Sequence, residues 1–512
     1  MDFLDAITAW GATCPDRTAH VSAEASLTYG EMVGRAATLA RWIDSAYPDD
    51  QRPIGIHGHR EPQLLIAMLA CALTNHPYVP IDDSLPEERV ARIAESAKLA
   101  QLLTVGDVDR LARQRSALPP PCRERRADDL FYVMFTSGST GDPKGVQVTR
   151  GCLAAFIAWM TREHTLQPAG ETFLNQANFS FDLSVMDLYL SLVSGGTLVS
   201  ATREHAANPR LLFELLRTTP LTTWVSTPTF AAMCLVEHGF DAGMLPTLRR
   251  FLFCGEVLPH AVAASLVDRF PDAEVWNTYG PTEATVATTS IRVTRALLDT
   301  YDPLPVGVAM PGTEVVVAGT DGGVLDEGAR GEIVIRGPNV SVGYLGREDL
   351  TRVAFDFDGR SRAYRTGDWG RYRNGLLFCE GRMDSQIKLH GYRIELGEIE
   401  VQLRRCEGVR DAVVLVNERD GTAHSLTAVI VEEAPPAVGA TGGETGAAYA
   451  ADGVPVADAR VRTRAQELRG ELARHLPAYM VPRKVRIVAQ FPMTANGKVD
   501  RRALADALTR AP

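Results

Sequence analysis

Residues 130–145 read LFYVMFTSGSTGDPKG, an apolar run that ends in a loop rich in glycines and hydroxyl side chains. The run Leu130–Phe135 is typical of a buried strand. The loop that follows offers amides, hydroxyls and one cation, from Thr136, Ser137, Gly138, Ser139, Thr140, Gly141 and Lys144. This pattern predicts a phosphate-binding loop, because glycines let backbone amides approach an anion. A flexible linker is the alternative, and no Gly-Lys followed by Ser or Thr completes a Walker A motif.

Length and charge limit the class of protein. The chain has 512 residues and a net charge of −10, so we expect several domain-sized cores and no nucleic-acid partner. The longest apolar stretch, Leu64–Leu73, is too short to span a bilayer, and the N-terminus carries acidic residues where a signal peptide has basic ones. The eight cysteines include no CxxC pair, which disfavours disulfides and zinc. A cytoplasmic protein without membrane insertion is predicted.

The order of predicted elements indicates an α/β fold. Short β-rich runs alternate with helical patterns, as in Thr223–Ser226 followed by Phe230–His238, and β-strands with glycine turns fill Val315–Phe378. We therefore expect a large N-terminal domain of α/β layers with a β-rich subdomain, residues 1–383, and a small mobile α+β C-terminal domain, residues 384–512. Within the latter, the Ala/Gly/Pro-rich stretch Val431–Ala459 predicts a disordered insertion.

Two further segments carry groups that suit a nucleotide. NTYGPTE at 277–283 follows the strand-like run Ala273–Trp276 and brings an aromatic ring, a hydroxyl and a carboxylate together. Tyr279 could stack on a base, and Glu283 could hold Mg²⁺. In YRTGD at 364–368, Asp368 after a Thr-Gly turn could accept hydrogen bonds from the two hydroxyls of a ribose. A Gly-Pro turn with a helix cap, and an Asp capping a surface turn, are the alternatives.

Together these segments resemble the adenylate-forming superfamily, and within it the amino-acid adenylation domains of nonribosomal peptide synthesis. The resemblance covers nearly the whole chain, and its further motifs are LTYGEM at 27–32, CALTNHPYVPID at 71–82, FDLS at 181–184, GEIVIRGPNVSVGY at 331–344, GRMDSQIKLHGYRIELGEIE at 381–400 and TANGK at 494–498. Three segments, at 175–198, 253–259 and 476–484, look like the D-alanine:carrier-protein ligases.

The resemblance implies a reaction in two halves that uses ATP and Mg²⁺. An amino acid and ATP give aminoacyl-AMP and pyrophosphate, and the phosphopantetheine thiol of a carrier protein then takes the aminoacyl group. By this resemblance Lys498 bridges the substrate carboxylate and the α-phosphate, Glu283 holds the metal, and Asp384 is the hinge of the C-terminal domain. Gly391 leaves room for the pantetheine arm. The implied nucleotide-binding residues are Thr136, Ser137, Gly138, Ser139, Thr140, Gly141, Lys144, Gly255, Glu256, Asn277, Thr278, Tyr279, Gly280, Thr282, Asp368, Arg382 and Lys498.

Asp182 decides the expected substrate class. It lies in the apolar stretch FSFDLSVMDLYL, where a carboxylate is costly to bury unless it meets a cation such as an α-ammonium group. Capping of the following helix is the alternative. By resemblance the side-chain pocket consists of small or uncharged positions, namely Leu183, Met186, Leu252, Cys254, Thr278, Val286 and Ala287. Such a pocket suits alanine or another small residue, and Cys254 favours D-alanine.

Alternatives to a D-alanine ligase stay open at this point. A stand-alone enzyme of secondary metabolism could load L-alanine, glycine or serine onto a dedicated carrier. An acyl-CoA or fatty acyl-AMP ligase is disfavoured by Asp182, and a silent scaffold is disfavoured by the intact charges of Lys144, Glu283, Asp368 and Lys498. No phosphopantetheine attachment motif follows Lys498, so we expect the carrier to be a separate protein.

Overall fold

The computed structural model describes residues 2–22, 25–113, 123–138, 142–357, 359, 361–389, 391–419, 422–433, 459–493 and 499–510. These residues form two compact units. The first consists of residues 1–83, 93–136 and 144–384, and the second of residues 84–92, 137–143 and 385–512. The α/β class with a smaller C-terminal unit, predicted from the sequence, is confirmed.

The helices are α1 Phe3–Thr13, α2 Tyr29–Ala46, α3 Pro62–Leu73, α4 Glu87–Ala97, α5 Val105–Leu111, α6 Arg150–Glu163, α7 Leu183–Val193, α8 Arg203–Ala207, α9 Pro209–Thr218, α10 Pro228–Leu235, α11 His260–Arg269, α12 Arg295–Thr300, α13 Glu348–Ala354, α14 Leu396–Arg405, α15 Ala459–His475 and α16 Arg501–Arg510, with 3₁₀ turns at Thr282–Ala284 and Ala478–Met480. No described helix is both long and apolar enough to cross a bilayer.

The strands are β1 Thr18–Val21, β2 Ser26–Thr28, β3 Ile54–Gly58, β4 Tyr78–Asp82, β5 Gln101–Thr104, β6 Leu130–Thr136, β7 Lys144–Thr149, β8 Thr172–Asn175, β9 Thr197–Ser200, β10 Thr223–Ser226, β11 Arg250–Phe253, β12 Glu274–Tyr279, β13 Thr289–Val293, β14 Val308–Ala309, β15 Glu314–Ala318, β16 Gly331–Arg336, β17 Phe355–Phe357, β18 Arg362–Arg373, β19 Leu376–Arg382, β20 Gln386–Leu389, β21 Tyr392–Glu395, β22 Val409–Arg419, β23 Thr422–Glu432 and β24 Lys484–Ile487.

The described residues of the first unit form three sheets. Among its described residues the largest sheet has the strand order β14-β13-β12-β11-β10-β8-β9-β1-β2, and its six inner strands, from β12 to β1, run parallel. A second sheet has the order β5-β3-β4-β6-β7, and an antiparallel sheet is formed by β15 to β19. Helices α3 and α7 carry apolar residues all round and are almost wholly buried, as expected of helices packed between layers.

The second unit contains the hairpin β20–β21 and a sheet of the order β22-β23-β24. Helices α14 and α15 pack on this sheet through Ile399, Leu403, Leu468 and Leu472. The predicted insertion at 431–459 needs a correction at both ends. Strand β23 continues through Glu432 with Val431 buried, and helix α15 begins at Ala459, because the strand pairs along its length with β22. Residues 434–458, the rest of that prediction, lie outside the described residues.

Candidate functional site

The predicted site segments of the first unit follow the carboxyl ends of neighbouring parallel strands. Strands β8, β10, β11 and β12 are paired in parallel, so their carboxyl ends meet at one edge of the largest sheet. Asp182 follows β8, Gly255 and Glu256 follow β11, and Glu283 follows β12. Loops at this edge are where open α/β sheets bind ligands, because the helices and strands hold them on a rigid base. The topology therefore places three separate sequence motifs at a common edge.

The predicted side-chain pocket residues share one buried core. Leu183, Met186, Leu252, Cys254, Val286 and Ala287 all belong to a single contiguous hydrophobic cluster of the first unit. The thiol of Cys254 donates a hydrogen bond to the backbone carbonyl of Val286 at 3.4 Å. The hydroxyl of Thr278 donates to the carbonyl of Phe253 at 2.8 Å, which ties the end of β12 to the end of β11. These contacts bring the predicted residues together from three parts of the chain.

Asp182 is a buried acid immediately before the first residue of α7. It occupies the N-cap position, but its side chain accepts no capping hydrogen bond from the helix, and it is only 8 % exposed. The helix-capping alternative therefore does not explain this carboxylate. The pKa of Tyr132 is raised well above its usual range. Burial of Tyr132 is the larger cause, and the nearby negative charge of Asp182 is the second.

A second acid, Asp187 on α7 itself, has a different environment. Asp187 is fully buried, and the side-chain amide of Asn175 donates to its two carboxyl oxygens at 3.2 and 3.3 Å. Burial raises the pKa of Asp187 well above its usual range, which favours the neutral acid. Asp187 follows Asp182 by five positions, so a substitution of Asp187 can serve as the control for the same substitution of Asp182.

Tyr279 and Asp368 form one hydrogen-bonded pair. The phenol of Tyr279 donates to Asp368 at 2.6 Å, and Arg382 donates to the other carboxyl oxygen at 2.9 Å. Burial and then the charge of Asp368 raise the pKa of Tyr279 well above its usual range. The same guanidinium forms an ion pair with Asp384 at 2.6 Å. The predicted base, ribose and hinge residues thus belong to one chain of contacts.

Two local predictions about these residues were wrong. Asp368 does not follow a turn, because it lies inside the long strand β18, where Gly367 has a φ of +69° and the pairing with β16 and β19 is irregular. Such irregularities redirect a side chain within a sheet. Strand β12 likewise continues to Tyr279 instead of ending at Trp276, because its pairing with β13 extends that far. Asn277 consequently uses its amide inside the fold, donating to the carbonyl of Pro305 at 2.8 Å.

Glu283 is a fully buried carboxylate next to a lysine. Lys144 lies 3.6 Å from the carboxylate, and the phenol of Tyr344 donates to it at 2.7 Å. The ammonium of Lys144 also lies 4.9 Å from the centre of the Tyr344 ring. The neighbouring Thr282 is buried in the same 3₁₀ turn. Tyr344 was not predicted, although it ends the quoted motif GEIVIRGPNVSVGY, because its partner is 61 positions away in the sequence.

Glycines allow close backbone approach at this edge. A Cβ at Gly280 would lie 2.6 Å from the backbone of Ala287, so a side chain there would displace the turn. Gly255 has a φ of +91°, a conformation that other residues rarely adopt. The carboxylate of the adjacent Glu256 accepts a hydrogen bond from the amide of Thr229 at 3.1 Å.

The predicted phosphate loop joins two paired strands. Thr136 ends β6 and Lys144 begins β7, and the two residues are directly opposite each other in the antiparallel pair. The hydroxyl of Thr136 is buried without a hydrogen-bond partner among the described residues. Ser139, Thr140 and Gly141 lie outside the described residues, as does Lys498. Their predicted roles stay predictions.

Ser137 and Gly138 belong to the second unit. The hydroxyl of Ser137 donates to the carbonyl of Arg393 at 2.8 Å and accepts from the amide of Glu395 at 3.1 Å. The amide of Gly138 donates to Glu398 at 3.3 Å, and Arg89 donates to the other oxygen of that carboxylate at 2.5 Å. Glu398 has no exposed surface.

The charged state of this ion pair follows from two opposed effects. Burial raises the pKa of Glu398, and the charge of Arg89 opposes that change.

In the same unit Gly391, the predicted pantetheine neighbour, has a φ of +85° between strands β20 and β21. The rings of Tyr392 and Tyr479 stack next to that turn, with their centres 3.8 Å apart.

Comparison with known proteins shows that the chain matches the models of a protein family. The AMP-binding enzyme family matches residues 7–345, and the AMP-binding enzyme C-terminal domain matches residues 398–498. Proteins named D-alanine--D-alanyl carrier protein ligase from Bacillus cytotoxicus and Bacillus cereus are each 45% identical to this chain over 99% of its length and 100% of theirs.

Two solved structures have a similar fold. The holo form of PA1221, described as a nonribosomal peptide synthetase protein with adenylation and PCP domains, superimposes with a TM-score of 0.80 at 27% identity, covering 99% of this chain and 84% of that one. The adenylation domain AlmE of Vibrio cholerae, solved with glycyl-adenosine-5′-phosphate, gives a TM-score of 0.82 at 22% identity, covering 100% and 98%. At that identity AlmE supports the fold alone.

Proposed function

Because the chain belongs to the AMP-binding enzyme family, we propose that it is an AMP-forming ligase that activates D-alanine with ATP. It then transfers the alanyl group to the phosphopantetheine thiol of a separate carrier protein. The relatives named for D-alanine and its carrier protein align with 99% of the chain, which supports both the substrate and the partner.

The observation that carries the substrate class is the buried carboxylate of Asp182. A buried acid is stable when a cation pairs with it, and the α-ammonium group of an amino acid is such a cation. The cluster that contains Leu183, Cys254 and Val286 supplies no charge for the substrate side chain. A small apolar side chain such as a methyl group therefore suits this pocket, and a charged one has no partner there.

ATP and Mg²⁺ fit the donor set of the first unit. The buried hydroxyl of Thr136, which has no hydrogen-bond partner among the described residues, suits a phosphate oxygen, and Lys144 supplies a charge directly opposite it in the strand pair. Glu283 is a carboxylate, the ligand type that Mg²⁺ prefers, and would hold the ion. The metal would supply positive charge to the phosphates. Asp368 would accept hydrogen bonds from the ribose hydroxyls.

The first half-reaction needs charge neutralisation more than proton transfer. A carboxylate oxygen of the amino acid attacks the α-phosphorus, the bond from that phosphorus to the bridging oxygen breaks, and pyrophosphate leaves. Both reactants are anions, so fixed positive charge lowers the barrier. We assign this role to Lys498 and Lys144. Asp182 holds the ammonium end of the substrate and thereby orients its carboxylate.

The second half-reaction exchanges an oxygen ester for a thioester. The pantetheine sulfur attacks the acyl carbon, the bond from that carbon to the AMP oxygen breaks, AMP leaves, and the thiol proton passes to water. We assign Asp384 as the hinge between the two half-reactions, and Gly391 as the residue that leaves space for the pantetheine arm. In the structure Asp384 forms an ion pair with Arg382 at 2.6 Å.

The test is amino-acid-dependent exchange of pyrophosphate into ATP. The panel contains D-alanine, L-alanine, glycine, serine, valine, β-alanine and a medium-chain fatty acid. Dominant exchange with D-alanine, followed by a thioester on a phosphopantetheinylated carrier detected by mass spectrometry, is the expected result. Dominance of L-alanine, glycine or serine would move the enzyme to another pathway, and exchange with the fatty acid alone would contradict the role of Asp182.

A further inference from the structure

The turn that follows Glu283 has unusual backbone geometry. Thr285 and Val286 are consecutive non-glycine residues in the left-handed region, with φ values of 55° and 69°. Both are β-branched, the residue class for which this conformation is least favourable. Such strained residues persist only where their surroundings hold them. Something in the fold must therefore hold this turn.

Backbone hydrogen bonds hold part of it, such as the one from the amide of Ala287 to the carbonyl of Thr285 at 2.8 Å, and the side chain that holds it is the buried amide of Asn339. Its amide nitrogen donates to the carbonyl of Ala284 and to the hydroxyl of Thr288, each at 2.9 Å, so it bonds to both ends of the turn. Its side-chain oxygen accepts from the hydroxyl of Thr313 at 2.8 Å, and its backbone carbonyl accepts from the hydroxyl of Thr285 at 2.7 Å. Asn339 has no exposed surface. An amide with both donors and its acceptor engaged has one fixed orientation.

Two of the residues assigned above lie at this turn, Glu283 just before it and Val286 within it. Before it, Glu283 is held independently by Lys144 and Tyr344, and its carbonyl accepts from the amide of Ser341 at 2.8 Å. Within it, the carbonyl of Val286 accepts a hydrogen bond from the thiol of Cys254 at 3.4 Å. Loss of Asn339 would therefore move the pocket wall more than the carboxylate.

We propose that Asn339 is a positioning residue for amino-acid selection. It fixes the strained backbone of Thr285 and Val286, and through the carbonyl of Val286 it fixes the position of Cys254 in the side-chain pocket. This inference rests on the proposed function, because it assigns Val286 and Cys254 to the substrate side chain. Asn339 itself touches no reacting atom.

The experiment compares three variants with the wild-type chain. Asn339→Ala removes the amide. Thr285→Val removes one hydroxyl that donates to the carbonyl of Asn339 at 2.7 Å. Thr289→Val is the matched control, because that hydroxyl also donates to a backbone carbonyl at 2.7 Å, on Val306, and both threonines are fully buried. Melting curves check the fold, and pyrophosphate exchange gives KM and kcat for D-alanine, L-alanine and ATP.

We expect Asn339→Ala and Thr285→Val to raise the KM for D-alanine about tenfold and to change the D/L ratio of kcat/KM by about fivefold, with the KM for ATP changed less than about twofold. Thr289→Val should leave the D/L ratio unchanged. If Thr285→Val and Thr289→Val have the same D/L ratio of kcat/KM, the inference is overturned, even if Asn339→Ala does not fold. Absence of amino-acid-dependent exchange in the wild-type chain would overturn the proposed function and this inference together.

Discussion

Replacing Asp182 by Asn should weaken amino-acid binding without disturbing the fold. The two side chains have the same shape, so the change removes a negative charge and leaves the packing of α7 in place. Asp182 is only 8 % exposed and makes no capping hydrogen bond, so the substitution removes no hydrogen bond that caps the helix. What the variant loses is the electrostatic partner proposed for the substrate ammonium group.

The expected loss follows from the burial of that carboxylate. Removing one partner of a buried, hydrogen-bonded ion pair typically costs about 3–5 kcal/mol. Asparagine keeps one oxygen that can accept a hydrogen bond from the ammonium, so we expect the lower end, about 3 kcal/mol. Since 1.4 kcal/mol is about a factor of ten, kcat/KM for the amino acid should fall about 150-fold. The KM for ATP should change little.

Asp187→Asn is the matched control for this experiment. It makes the same substitution five positions later at a fully buried acid, but the raised pKa of Asp187 favours the neutral form that asparagine mimics. Pyrophosphate exchange at varied amino-acid concentration, with thermal melts of both variants, separates binding from folding. The reasoning is refuted if both variants lose the same fraction of kcat/KM, or if Asp182→Asn loses none.

Lys498→Ala should abolish pyrophosphate exchange while thioester formation from supplied aminoacyl-AMP continues, and retained exchange would contradict its role. Asp368→Asn should raise the KM for ATP by about tenfold to 100-fold, because hydrogen bonds to a charged group contribute about 1.5–3 kcal/mol, and an unchanged KM in exchange assays would exclude a ribose contact. His164→Phe should protect against acid: burial lowers the pKa of His164 to about 3 from its ordinary 6.5, so the unfolded chain binds the extra proton and wild-type stability falls as pH drops below 6.5. Urea titrations give the free energy of unfolding of the variant minus that of the wild type, and this difference should be about 2 kcal/mol larger at pH 5 than at pH 8. The same difference at both pH values would contradict this.

The sequence predicted local features better than contacts between distant segments. Strand β10 at Thr223–Ser226 was predicted with its observed bounds, because a run of apolar and β-branched residues between turn signals is a local pattern. The contacts of Tyr344 with Glu283 and of Asn339 with Ala284 span 61 and 55 positions, and nothing local indicates them. The irregular pairing around Asp368 was missed for the same reason, since it depends on two neighbouring strands.

The second unit has a consequence for the construction of chimeric proteins. It is assembled from three pieces of sequence, residues 84–92, 137–143 and 385–512. A C-terminal segment transplanted from a relative, or produced alone from residue 385, would leave Arg89 and Gly138 behind. The buried carboxylate of Glu398 would then lose both partners, at a cost of about 3–5 kcal/mol for a broken buried pair. Recombination experiments should therefore exchange all three pieces together. The two short pieces, residues 84–92 and 137–143, then replace the matching residues in the N-terminal part of the recipient.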